Sequence, residues 1–359
     1  MAHLFEPLPL RGVTLKNRIA VSPMCEYSSE DGFAADWHLV HLGSRAVGGA
    51  ALVFTEAAAV SAVGRISPHD LGIYRNEHVA MLRRITEFIT AHGSVPGIQL
   101  AHAGRKASTA RPWEGNAPVP KADGGWEAVA PSALAFGDYP VPRELTVDEI
   151  ATVADDFAAA ARRALDAGFR IIEVHAAHGY LLHEFFSPLS NGRTDAYGGS
   201  FENRTRIAHD VVRAIRAVTP EDVPLLVRIS ATDWADGGWT LEESVRLARE
   251  LREIGVDLID ASSGGLTSRQ RITIGPGYQV PFAARIRAEA GIPTGAVGLI
   301  TDAHQADDII CSGQADLVLL ARELLRDPYW PLHAAYALGA EVAWPPQYER
   351  AKPHAARGS

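Results

Sequence analysis

Two imidazoles three residues apart, with a phenol two residues further on, stand in His175-Ala-Ala-His-Gly-Tyr180, directly after the apolar run "FRIIEV". Three chemistries suit such a group: a metal site, an acid/base centre, or polar residues that tie down a loop. A catalytic zinc needs at least three protein ligands, and Glu184, Glu173 or His102 is available to complete that set. Glu173 alternates with His175, so in an extended chain both side chains point the same way. In the acid/base reading the imidazoles act as donors. The phenol, with an unperturbed pKa of about 10, stays protonated at neutral pH and serves as a proton source. The motif by itself leaves all three open.

Other residues are equally out of place. Arg228 lies inside the apolar run "PLLVRIS", where a buried guanidinium needs a protein carboxylate or an anionic ligand. Cys25 alone reads as a small buried hydrophobe. Cys25 and Cys311 are the only cysteines, too few for a disulfide framework or a four-cysteine zinc or iron–sulfur site. That usage points to a reducing, cytoplasmic compartment.

The elements that must position these residues follow from apolar periodicity. Short apolar runs predict strands over 18–23, 50–57, 97–102, 170–175, 225–230, 256–263, 293–298 and 315–321. Between them lie helical patterns such as 77–93, 146–168 and 241–255, the last with Val245, Leu247, Ala248, Leu251 and Ile254 in one stripe and Gly255 as its C-cap. Eight β-then-α units fit a single closed (β/α)8 TIM barrel. The rival, a doubly wound open sheet, favours a glycine-rich dinucleotide turn, and neither G-x-G-x-x-G nor G-x-x-x-x-G-K-[ST] occurs. The segment "LFEPLPLRGVTLKN" reads as an N-terminal hairpin closing the barrel floor. Residues 105–145, rich in Pro, Gly and Trp, are too long for a simple connection and predict an excursion over one face after the third strand. The barrel is expected over 1–345 and a C-terminal tail over 346–359.

The whole chain bounds the partners. Its 359 residues, 47% hydrophobic and 21% charged, suit a globular fold with a large core. A net charge of −9, from 43 acidic and 34 basic residues, argues against nucleic acid or an anionic membrane. The start "MAHLFEPLPL" lacks the pattern of a secretory signal. Glu56 interrupts the most apolar stretch, 46–63, which reads as a buried strand with its flanks.

In such barrels chemistry sits at the C-terminal ends of the strands. Those ends bring Pro23 to Cys25, Glu56 and Ala57, Gln99 and His102, the His175 motif, Arg228, Ser262 and Ser263, Gly298, and Ala321 and Arg322 around one mouth. This ring suits a large polar ligand better than a single ion. Gly298 and Arg322 follow strands seven and eight, the usual phosphate position, so a phosphate-bearing cofactor is expected.

The stretches "LKNRIAVSPMCEYS", "GIQLAHAGRKA", "HAAHGYLLHEFFSPLSNGRTDAYGGSFENR", "GAVGLIT" and "ARELLRDPYWP" resemble the Old Yellow Enzyme family of FMN-dependent ene-reductases. Cys25 and "QYER" are similar to its bacterial, thermophilic-like branch. The likeness runs from about residue 3 to about residue 350. It implies a TIM barrel holding non-covalent FMN, reduced by NADPH or NADH, that reduces alkenes activated by carbonyl or nitro groups: enones, enals, maleimides and nitroalkenes.

Carried to matching positions, the resemblance implies that Ser22, Pro23, Met24 and Cys25 line the flavin, the thiol tuning its potential. Ala57 and Gln99 would contact the ring, and Arg228 its N1/C2 carbonyl side. Gly298, Ala321 and Arg322 would hold the phosphate, although the family often has glycine where Ala321 stands. His175 and His178 would donate to the substrate oxygen, Tyr180 would protonate the α-carbon, and Tyr27 would be a further donor. Glu26 replaces an expected neutral residue, and the insertion with Trp113 and Trp126 bears on substrate range. The related flavin and iron–sulfur dienoyl-CoA reductases need a cysteine cluster that this chain lacks. In "PPQYERAKP" the resemblance implies a homodimer or dimer of dimers, with Arg350 entering the neighbour's active site and Tyr348 at the interface. A frayed tail is the plainer reading. A metal-dependent barrel lyase or hydrolase using the His-x-x-His pair is the alternative function, and a non-catalytic binding protein a third.

Overall fold

The computed structural model describes residues 2–353. The chain opens with an antiparallel hairpin, β1 (Leu8–Leu10) and β2 (Val13–Leu15), followed by β3 (Ile19–Val21), β4 (Leu52–Ala59) and β5 (Val95–Ala101). After the short pair β6 (Val129–Ala130) and β7 (Arg143–Glu144) come β8 (Ile171–Ala176), β9 (Leu225–Ser230), β10 (Leu258–Ser262), β11 (Thr294–Ala296) and β12 (Leu317–Leu320). Strands β3, β4, β5 and β8 to β12 close one parallel barrel in chain order, β10 pairing with β9 and β12 with β3. The expected TIM barrel is the observed fold.

Val, Ile and Leu fill strands that are buried on both faces, as a parallel sheet between outer helices and a packed interior requires. The outer layer is α1 (Asp36–Val47), α2 (Val79–Ala91), α3 (Val147–Asp166), α5 (Phe201–Arg216), α6 (Leu241–Glu253), α7 (Val280–Ala290), α8 (Ala303–Cys311) and α10 (Trp330–Ala337); the short helices α4 (Leu181–Phe186) and α9 (Arg322–Arg326) are extra. Thr146 and Thr240 start α3 and α6 with capping boxes to Glu149 and Glu243. The hairpin does close the floor: Leu8, Leu10, Val13 and Leu15 pack with Leu52, Ile171, Leu226, Leu258 and Leu317.

The strands leave the ladder earlier than their apolar runs do. β3 ends at Val21, after which residues 22–28 turn into the mouth, and β11 ends at Ala296 before the left-handed Gly298. β4 instead runs on to Ala59, with a register irregularity between Phe54 and Ala57. Gly255 is not itself the C-cap of α6: Ile254 is, and Gly255 follows at φ 103°. α4 escaped the periodicity because every one of its residues is buried, leaving no polar face to alternate with. No helix among the described residues is long and apolar enough to cross a membrane.

Candidate active site

β8 delivers His175 to the mouth, 4% exposed and in register with Arg228 on β9. The chain then turns sharply, with His178 at φ 59° and Gly179 at φ 72°. A Cβ on Gly179 would lie 2.3 Å from the Gly265 carbonyl oxygen, so no side chain fits there. The His178 amide donates to Ser230 Oγ at 2.9 Å. Lys106 Nζ donates to the carbonyls of His178 (2.9 Å) and Gly265 (2.8 Å), tying the two loops together. Tyr180 is the N-cap of α4. One turn on, His183 Nδ1 accepts the Gly179 amide at 2.9 Å, and its Nε2 lies 2.9 Å from Asp233 Oδ1.

The motif's three rings form one cluster: His175 is 5.1 Å from His178 and 5.1 Å from Tyr180, both edge-on. Burial and the nearby Arg228 charge push both imidazoles well below the usual histidine range, so they are neutral donors. His175 Nδ1 is buried without a partner among the described residues. His178 Nε2 is 2.7 Å from Ser262 Oγ, which in turn donates to Gln279 Oε1 at 3.4 Å. Burial pushes the Tyr180 phenol up, with the neighbouring Cys25 and Tyr27 adding to it.

Cys25, Tyr27 and Tyr180 pack together against Ile66, Ala103 and Ala107. Burial and the Asp70 and Glu56 carboxylates raise the Cys25 thiol, which therefore stays protonated. Trp113, 64% exposed, meets Tyr27 edge-on, and Trp126 Nε1 donates to the Val63 carbonyl. The excursion 105–145 thus borders the same mouth. Glu26, unassigned from sequence, points into the protein: its carboxylate accepts from Trp37 Nε1 at 2.9 Å and lies 3.2 Å from His41 Nε2. Its amide donates to Glu56 Oε2 at 3.0 Å, and Glu56 Oε1 is 3.1 Å from His38 Nε2. Glu26 therefore pins the Cys25 segment to α1.

Toward the barrel axis, Arg228 Nη1 donates to Ser22 Oγ at 3.1 Å, and its Nε lies 3.2 Å from Asp260 Oδ2. Both explanations for a buried Arg228 hold: it has a carboxylate partner, and it faces a cavity. That cavity, about 220 Å³, is lined by Ser22, Arg228, Gln279, Gly298, Ala321 and Arg322 among others. Gly298, at φ 110°, opens the backbone where a Cβ would press on Gln279 at 3.1 Å. Guanidiniums lining one cavity fit a ligand that carries a phosphate; Gln99, on β5, is buried beside Glu173. Pro23 and Met24 follow Ser22 in the chain as half-buried residues, and Ala57, on β4, is buried.

The metal alternative is corrected by the geometry. Gln99 Nε2 donates to Glu173 Oε1, Glu184 Oε1 accepts the Arg105 amide, and His102 Nδ1 accepts the Gly104 amide. Among the described residues no three His, Cys, Asp or Glu side chains are arranged to hold an ion. Arg350 is exposed in the 3-10 segment Pro346–Ala351, and its neighbour Tyr348 lies 5.9 Å from Tyr329, ring to ring. The structure does not bring Arg350 to the site; residues 354–359 of the expected tail lie outside the described residues. Sequence reasoning missed Lys106, Gln279 and Asp260. Asp260 carried a usable signal, since "VDLIDAS" holds a charge in an apolar run just as the Arg228 strand does.

Comparison with known proteins agrees with this geometry. The family model for NADH:flavin oxidoreductase / NADH oxidase matches residues 3–341. An NADPH dehydrogenase of Geobacillus sp. (strain WCH70) is 51% identical over 350 residues, covering 97% of this chain and 98% of that protein. Morphinone reductase in complex with tetrahydroNAD superposes with a TM-score of 0.77 at 28% identity, covering 96% of this chain and 93% of that one. A 2-naphthoyl-CoA reductase complex superposes with a TM-score of 0.84 at 26% identity over 94% of this chain, which spans only 52% of that larger protein. The chain belongs to the NADH:flavin oxidoreductase / NADH oxidase family.

Proposed function

We propose that this flavin oxidoreductase uses electrons from NADPH to reduce carbon–carbon double bonds conjugated to a carbonyl or nitro group, as in enones, enals, maleimides and nitroalkenes. The observation that carries the reading is the neutral pair His175 and His178, 5.1 Å apart, with the Tyr180 phenol 5.1 Å from His175. FMN, held by Ser22 to Cys25, Ala57, Gln99, Arg228, Gly298, Ala321 and Arg322, would supply two-electron chemistry that side chains lack. The imidazoles donate to the substrate oxygen, where negative charge grows as the double bond is reduced, and preorganised donors lower the barrier most there. Tyr180, its pKa raised by burial, keeps its proton until the adjacent carbon needs it. Tyr27 stands beside it as a further donor, and Trp113 and Trp126 bound the space open to bulky substrates.

The assay separates the two halves of the reaction. Under anaerobic conditions NADPH should bleach the flavin absorbance, and an enone, maleimide or nitroalkene should restore it with one equivalent of saturated product. Bleaching without recovery by any of the three would reject the alkene reading while leaving the flavin in place.

The proposal extends to assembly. The exposed Arg350 would serve a neighbouring copy's substrate in a homodimer or dimer of dimers, since a guanidinium can span an interface and offer paired donors to an oxygen. Arg350→Ala should raise the Michaelis constant for the alkene; unchanged kinetics would reduce the segment to a tail.

A further inference from the structure

Glu173 and Asp260 belong to no step above, yet both are 0% exposed inside the barrel. Asp260, on β10, stands in register with Arg228 on β9, and its Oδ2 lies 3.2 Å from the guanidinium Nε. Glu173, on β8, has a neutral partner instead, the Gln99 amide at 2.8 Å. The charged groups that face Glu173 are Asp260 and Arg228; His175, two residues along the same strand, is held neutral. Two carboxylates thus share one cation. An uncompensated buried charge costs several kcal/mol, so the layer is neutral only when one carboxyl keeps its proton. Asp260 has the guanidinium; the proton falls to Glu173. Its Oε2 and both Asp260 oxygens have no hydrogen-bond partner among the described residues, which leaves Oε2 free to carry it.

We infer that Glu173 is a proton-holding positioning residue inside the barrel, one that would keep Arg228 and Gln99 oriented for the flavin and take up a solvent proton when negative charge enters the cavity. This rests on the reading of Gln99 and Arg228 as flavin contacts. The Gln99 amide nitrogen donates one of its two N–H bonds to Glu173, which fixes the orientation of the amide. Burial and the Asp260 charge push Glu173 up to about 8. Below that pH the proton is already present. Above it, negative charge entering the cavity that Arg228 lines would draw one further proton per two electrons from water onto Glu173.

The test uses the holoenzyme and two readouts. The midpoint potential of bound FMN, followed from neutral to alkaline pH, should steepen by one proton per two electrons above about pH 8. Glu173→Gln should remove the break, and Asp260→Asn, which deletes the repelling charge, should move it to lower pH. The infrared difference between wild type and Glu173→Gln should show the carbonyl stretch of a buried protonated carboxyl at neutral pH, fading in alkali. The wild-type break needs no variant to be read; the band is read as a difference because Glu184 is a second buried carboxyl pushed up to about 8. Absence of the band overturns the inference outright. A band without a break also overturns it, and it puts the fault with Gln99 and Arg228 as flavin contacts, because the proton would then be present but uncoupled.

Discussion

Lys106 Nζ donates to the main-chain carbonyl of His178 at 2.9 Å, so a side chain from the loop after β5 sets the backbone of a residue held at φ 59° after β8. The same ammonium stands over the Tyr180 ring at 5.2 Å. Lys106→Met leaves the carbonyls of His178 and Gly265 unpaired, a loss of about 1–3 kcal/mol. Part of that should appear as a Michaelis constant for the alkene raised roughly tenfold, the equivalent of 1.4 kcal/mol, with flavin reduction by NADPH little changed. Burial lowers Lys106 to about 8. Above that pH the charge-assisted bonds weaken, so alkene binding by the wild type should decline in alkali and that of the variant should not.

Tyr180→Phe keeps the ring against Ile66, Ala103 and Ala107 but removes the proton. Reoxidation of the reduced enzyme by an enone should slow by about 10²–10⁴-fold, the usual worth of a positioned general acid. Stopped-flow bleaching by NADPH should proceed at close to the wild-type rate. Equal damage to both halves would assign the phenol a structural role.

Arg228→Met strands Asp260, leaving a buried carboxylate without its cation. Breaking such a pair costs about 3–5 kcal/mol, and the cavity loses one of the guanidiniums that line it. The variant should purify with substoichiometric FMN and a lower denaturation midpoint. Full occupancy with an unchanged flavin potential would separate Arg228 from the cofactor.

Stability should depend on pH through two buried carboxyls. Glu173 and Glu184 are each pushed up to about 8, in both cases chiefly by burial, against about 4.3 in an unfolded chain. A raised folded pKa means that the native state binds the proton more tightly. The contribution is therefore full below about 4.3 and is lost as pH rises through 8. Urea midpoints of the wild type should fall across that window, and Glu173→Gln together with Glu184→Gln should flatten the fall. The buried neutral histidines add an opposite, rising slope below about pH 6.5, so the fall is read above it; an identical fall in the double variant would mean that neither glutamate is protonated in the fold.

The fold was legible because its cause is local. Alternation of apolar runs with amphipathic stretches needs only a chain's own periodicity, and it placed eight strands, the floor hairpin and the excursion at 105–145. Most of the mouth followed, since strand ends in a closed parallel barrel converge on one face: His175, Arg228, Ser262, Gly298 and Arg322 could be named from position alone. What the linear order could not decide was pairing across the barrel. Arg228 announced a need for an anion, but only the register of β9 with β10 supplied Asp260, and only that of β5 with β8 set Gln99 beside Glu173. The metal alternative ended the same way, once Glu173, Glu184 and His102 proved to be engaged with partners far off in sequence or fixed by a local turn. Burial decided the rest. Whether a histidine is a neutral donor or a carboxyl keeps its proton depends on which charges the closed barrel brings within a few ångströms and on how much water it removes, and neither is written in the spacing of residues along the chain.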